Sequence, residues 1–184
     1  MLETAILAAG VLYALTRNTG ANGPPPMTGG GGQIPRKYPT IPAETFRQVD
    51  RWRRTVEDES RNLPNVWTAL ALALILRESR GEADAAGPTG DYGLMQITRP
   101  AWQDYFTETG DLEVAIFPDS MLDPRLNIRV GCWFLNRKIE EMGTARDGLR
   151  AYNAGSAGAR RDPSQSADYA DSTLAYEPIF KATA

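Results

Sequence analysis

The sequence predicts a mostly α-helical domain, and three observations carry that expectation. Apolar residues recur at helical spacing in several segments, whereas no alternating run is longer than four or five residues. One segment, Val66 to Leu76, is apolar almost all round but only eleven residues long. That suits the buried central helix of a globular domain and is too short to span a bilayer. Another segment opens on Asp123-Pro124 and closes at Gly143, a helix start and a helix stop on either side of a long apolar face.

The elements follow in order. Thr4 to Leu15 (TAILAAGVLYAL) is apolar, but as a helix its twelve residues span about 18 Å against a hydrocarbon core of about 30 Å. Glu3 and the lack of any preceding Lys or Arg make it a poor secretory signal. Residues 1–17 thus read as an apolar N-terminal helix, with a short or tilted membrane anchor, a helix packed into a partner and an unusual signal all left open. Residues 18–42 contain 6 Gly and 6 Pro among 25 positions, a flexible linker that cannot fold alone. The working domain spans 43–184. Phe46, Val49, Trp52 and Val56 make residues 43–60 one amphipathic helix. The central helix is expected from Leu63-Pro64 to Arg80, stopped by Gly81. Residues 83–92 are turn-rich, and 100–106 form a short helix. The long helix runs to Met142. Thr144 and Asp147 resemble a capping box that starts a helix ending near Tyr152. Residues 160–165 read as loop, and a last helix covers Ala167 to Phe180.

The 184 residues include 20 Lys+Arg and 23 Asp+Glu, a net charge of −3. Residues 1–60 carry 7 basic and 6 acidic side chains, and the remainder 13 and 17, so neither part has the basic excess of a nucleic-acid binder. Arg47, Arg51, Arg53 and Arg54, followed by Glu57, Asp58 and Glu59, read as a solvated, charge-paired helix face. There is no His and one Cys. Histidine-based triads, His-ligated zinc, thiolate metal clusters and intrachain disulfides are all excluded. Chemistry falls to carboxylates, hydroxyls, amides and backbone, with no metal or organic cofactor implied. Cys132, between Gly131 and Trp133, reads as a packed thiol.

Glu78 is the carboxylate best placed for chemistry, at the end of the apolar helix. Desolvation there would raise its pKa above about 4.3 and suit it to donate a proton near neutrality. Around it stand three ordered strings: ILRES (75–79), GLMQI (93–97) and AYNAG (151–155). Together with DPRLNIRVGCWFLNRKIEEM (123–142), they resemble the lysozyme-like lytic transglycosylases, the family of the soluble lytic transglycosylase catalytic domain. Goose-type lysozymes are its near relatives. The resemblance covers about residues 60–175.

This resemblance implies a lysozyme-like fold and cleavage of the β-1,4 bond between N-acetylmuramic acid (MurNAc) and N-acetylglucosamine (GlcNAc) in peptidoglycan. Glu78 would be the single acid/base, and the MurNAc C6 hydroxyl the nucleophile that closes a 1,6-anhydro ring. Ser79, Gly93, Met95, Gln96, Tyr152 and Asn153 would line the sugar cleft. Tyr169, ahead of Tyr176, would approach the catalytic carboxyl. Leu94 reads as core. Trp67, Trp102 and Trp133 are core candidates too, with Trp102 the one placed to serve as a sugar platform. Two other readings stay open. Asp84 or Asp91 could activate water opposite Glu78, making a goose-type hydrolase. Alternatively the domain is a non-catalytic, glycan-binding or structural module. The implied partners are glycan strands, with membrane, virion or envelope-complex proteins as further candidates through residues 1–17. The implied setting is the periplasm and cell wall, served by a phage particle or an envelope machine.

Overall fold

The structure, a computed structural model, describes residues 39–181. The expected N-terminal helix at 1–17, and the linker up to residue 38, lie outside the described residues. Among the described residues no helix is long and apolar enough to cross a membrane.

The first amphipathic segment is two helices rather than one, α1 (Ala43–Asp50) and α2 (Arg53–Ser60). The break at Arg51 and Trp52 has a physical cause. Both side chains turn onto the carbonyl of Gly81, with Trp52 Nε1 at 3.1 Å and Arg51 Nη2 at 3.2 Å. The surrounding basic cluster is paired as the sequence suggests, through Arg47–Glu44, Arg53–Asp50 and Arg54–Asp58.

The central helix, α3 (Thr68–Glu78), starts later and ends sooner than the sequence suggests. Leu63-Pro64 instead lies in a turn closed by Val66 N–H on the Leu63 carbonyl. Every residue from Ala69 to Leu76 is buried. This helix therefore needs no polar face: truncating one of its leucines to Ala costs about 2–5 kcal/mol. Arg80 and Gly81, both at positive φ, then reverse the chain.

The described strands are a two-residue antiparallel pair, β1 (Asp91–Tyr92) and β2 (Ile97–Thr98), with Asp91 opposite Thr98. Thr98 caps α4 (Arg99–Thr109) by accepting from Ala101 N–H. Two single 3₁₀ turns lead to α5 (Pro124–Met142). Asp123 caps its start, accepting from two backbone N–H groups, and Gly143 ends it in the left-handed region. Thr144 caps α6 (Ala145–Ala154). The reciprocal half of the expected capping box is replaced, because the Asp147 carboxylate takes the Thr144 hydroxyl at 2.9 Å and Arg150 at 2.7 Å. A short α7 (Ser156–Arg161) enters the expected loop, and α8 (Ala167–Lys181) closes the chain.

Helix α3 packs on α8, α5 on α6, and α2 on both α3 and α5. An ion cluster ties this frame together. Arg129 on α5 donates to Glu59 on α2 at 2.8 Å and to Asp111 at 2.9 Å. Burial pushes the Glu59 carboxyl up, but hydrogen bonds from Arg129 and Arg125 outweigh it and leave Glu59 below its ordinary value. Cys132 is fully buried, and that burial pushes its thiol up to about 12, as expected of a packed, inert cysteine.

Candidate active site

Four segments converge on Glu78. Its carboxyl stands half-exposed at the last residue of α3, where the buried helix leaves the core. From α8, the buried Tyr169 donates its phenolic O–H to Glu78 Oε1. The Tyr169 ring is capped by the Arg77 guanidinium, 5.3 Å from the ring centroid. Burial raises the Tyr169 phenol well above its usual value, and the neighbouring Glu78 charge adds to this. Tyr169 therefore stays a neutral donor. Tyr152 on α6 is raised in the same way, by burial first and by Glu78 second. Its hydroxyl donates to the Met95 carbonyl at 2.8 Å, and Phe134 meets its ring edge-on.

The segment from Gly93 to Gln96, between β1 and β2, forms a rigid wall. Gly93 has φ +75°, and an added Cβ would stand 2.3 Å from both Asn127 Nδ2 and the Met121 carbonyl. Gln96 also has positive φ, and its side chain closes the turn by donating to the carbonyls of Gly93 (2.9 Å) and Ala85 (3.2 Å). Its Oε1 is buried without a donor among the described residues. Asn127 on α5, fully buried, completes the support. It accepts from Met95 N–H at 2.8 Å and donates to the carbonyls of Tyr92 and Met121.

Three residues expected to face the sugar are placed otherwise: Gln96, turned inward as just described, Met95 and Ser79. Met95 is fully buried, its side chain set against Gly131, where an added Cβ would lie 2.4 Å from Sδ. What Met95 offers the site is backbone. Ser79 is also fully buried: its hydroxyl donates to the Ile75 carbonyl and accepts from Gly81 N–H, so it shapes the helix end. Asn153 is half-buried and accepts from Ser166 Oγ at 2.7 Å, which fixes its amide plane. Leu94 is core, as expected. Trp102 is not a sugar platform. It is buried, donates to the Val114 carbonyl at 2.7 Å and stacks on Phe106.

The carboxylates weighed as water activators differ. Asp84 is exposed. Asp91 is buried, accepts from the Thr89 hydroxyl and lies against Gly87. Among the described residues no group of three or more acidic or thiol side chains is placed to hold a metal ion. A separate groove of about 590 Å³, lined by Glu108, Trp133, Phe134, Arg137 and Lys138 among others, shares no residue with the Glu78 cluster. It lies behind Tyr152, through Phe134.

Comparison with known proteins agrees with this geometry. Residues 56–175 match the family model of the transglycosylase SLT domain. The chain belongs to that family. Solved structures share its fold. An inactive mutant of the lytic transglycosylase Slt from Pseudomonas aeruginosa matches with a TM-score of 0.64 and 22% identity, covering 73% of this chain and 24% of that one. The 70 kDa soluble lytic transglycosylase of Escherichia coli matches with a TM-score of 0.66 and 20% identity, covering 76% of this chain and 26% of that one. This SLT-domain chain thus corresponds to about a quarter of the length of either protein. A search among curated proteins returns no match.

The sequence reading overlooked two residues of this candidate site, Arg77 over the Tyr169 ring and Asn127 behind Met95. Asn127 carried a usable signal: a polar residue on the helical face that holds Val130, Gly131 and Phe134 must find partners when buried.

Proposed function

We propose that the chain is a peptidoglycan lytic transglycosylase that cuts the β-1,4 MurNAc–GlcNAc bond and leaves 1,6-anhydro-MurNAc ends. The carrying observation is one half-exposed carboxyl, Glu78, held by a buried neutral phenol, Tyr169, at the end of a rigid helix. Glu78 donates its proton to the bridging oxygen. The C1–O bond breaks, its electron pair goes to the leaving sugar, and positive charge develops at C1. The MurNAc C6 hydroxyl attacks C1, and its proton returns to the Glu78 carboxylate. No water is consumed and no second carboxylate is needed. The Tyr169 hydrogen bond strengthens as Glu78 becomes charged, which favours the transition state over the ground state.

Other observations support this reading. Gln96 holds the turn beside Tyr152 in place through its bonds to the Gly93 and Ala85 carbonyls. The engagement of Asp91 with Thr89 in its turn supports anhydro chemistry over water activation. The two solved structures described above are of lytic transglycosylases. The setting we assign is the cell wall and periplasm, with residues 1–17 attaching the enzyme to a membrane, a virion or an envelope complex. Co-purification with particles or membranes supports that attachment, and recovery only as free enzyme overturns it.

The test is mass spectrometry of muropeptides released from purified sacculi by the wild type and by Glu78→Gln. Non-reducing products lighter by one water, absent in the variant, are expected. Reducing products from the wild type would make the chain a hydrolase, and no release from either would end the enzymatic reading.

A further inference from the structure

We infer that Arg77 is a carboxylate-recognition residue of the cleft, binding an anionic group that the glycan strand carries beside the scissile bond. The inference rests on the transglycosylase reading and deepens it.

The guanidinium of Arg77 is half-exposed, immediately precedes Glu78, and lies over the ring of the tyrosine that holds Glu78. Among the described residues no carboxylate or carbonyl accepts from it, in contrast to most of the chain's arginines. Arg47, Arg53, Arg54, Arg61, Arg125 and Arg129, for example, each pair with an acid. A cation next to a centre where positive charge develops at C1 works against the reaction unless another charge neutralises it. The guanidinium lies over the ring face with its N–H groups left to meet a ligand, and a guanidinium is suited to bidentate contact with a carboxylate. Peptidoglycan supplies such groups from two sources: the acidic residues of the stem peptide, or the lactyl carboxylate of MurNAc where the stem has been removed. Arg77 thus reads the charge of the strand at the binding step, and its own charge is cancelled when the strand is bound.

The experiment compares wild type, Arg77→Gln and Arg77→Lys on three glycan preparations. These are strands with intact stems, strands stripped by an amidase, and stripped strands whose carboxylates have been converted to amides. Circular dichroism confirms folding of each variant. Arg77→Gln is expected to raise KM about 10- to 100-fold on a carboxylate-bearing strand with kcat little changed, the range of one charge-assisted pair. Arg77→Lys should recover part of that loss, and the blocked strands should not distinguish the proteins. A KM penalty confined to intact strands assigns the stem as source, and one seen on stripped strands assigns the lactyl group. Equal loss on all three preparations, or a fall in kcat alone, overturns the inference and leaves Arg77 as a prop for Tyr169. Identical kinetics for wild type and Arg77→Gln also overturn it while leaving the transglycosylase reading intact. Failure of the wild type to release anhydro products from any strand instead sinks that underlying reading.

Discussion

Replacing Tyr169 by Phe isolates the contact on which the proposed mechanism turns. Only the hydroxyl is removed. The ring stays buried and keeps Arg77 over its face, so packing and the cation–π contact persist. The lost interaction is an O–H donated to a carboxylate, worth about 1.5–3 kcal/mol. Its strength is realised as Glu78 gives up its proton, so most of the loss falls on kcat. At about 1.4 kcal/mol per decade, kcat drops roughly 10- to 150-fold. Glu78 is half-exposed, so water replaces the missing donor and the fold is spared. Thermal unfolding should move by less than about 4 °C. The phenol is held above its ordinary value by burial first and by Glu78 second, so it is a neutral donor through neutral and mildly alkaline pH. The wild-type advantage should therefore be constant between about pH 6 and 9. Initial rates of anhydromuropeptide release, read by chromatography with mass detection, measure it. A Tyr169→Phe enzyme that is folded and within twofold of wild type would refute the role given to this contact.

Three further outcomes follow from the geometry. Asp91→Asn should still yield anhydro products at a rate within about threefold of wild type, because its carboxylate serves the Thr89 turn; a loss of a hundredfold would revive water activation. Arg129→Met should lower stability by about 1–3 kcal/mol in urea unfolding, because it removes the charge-assisted bonds to Glu59 and Asp111 and leaves them only Arg125 and Tyr105. Despite the burial that pushes them up, both carboxyls lie below their ordinary values, Glu59 held there by Arg129 and Arg125, and Asp111 by the Tyr105 hydroxyl and then Arg129. Their contribution is thus present above the unfolded carboxylate range and lost as pH falls through the folded values. The wild type should weaken on acidification below about pH 5, and the variant should weaken less over the same range. Cys132, with its thiol near 12 and fully buried, should resist a disulfide reagent at pH 8 until the protein is unfolded; rapid labelling of native protein would contradict the packing.

Elements whose residues carry local signals were legible in the sequence. Asp123-Pro124 and Gly143 bound α5 at both ends, and the apolar run of α3 announced its burial. Glu78, Tyr152 and Asn153 could be named from short strings and Tyr169 from its spacing beyond them; the structure sets Tyr169 on Glu78 and Tyr152 on the Met95 carbonyl. The split between α1 and α2 was not legible. It depends on the Gly81 carbonyl, some thirty residues away, drawing Trp52 and Arg51 out of helical register. The burial of Met95 and Ser79 was hidden for a related reason. Which side chain of a short motif turns inward is decided here by Gly131 and by the reversal at Arg80 and Gly81. Arg77 was passed over because an arginine near a helix end ordinarily faces solvent. Only its position over a tyrosine distant in sequence marks it.

The site owes its rigidity to the core. Eight consecutive buried residues fix α3, so Glu78 projects from the end of a helix packed on all sides. The partners that orient it are likewise buried: Tyr169 on α8, and Asn127 holding the Met95 backbone that Tyr152 touches. None depends on a long surface loop. A carboxyl placed this way is preorganised before substrate arrives, and preorganised charge is the larger part of what such a site contributes to rate. The chemistry itself asks for little more: one proton that leaves Glu78 and comes back, with the nucleophile carried by the sugar. A chain without histidine and with one inert cysteine can therefore perform it, provided its central helix stays packed.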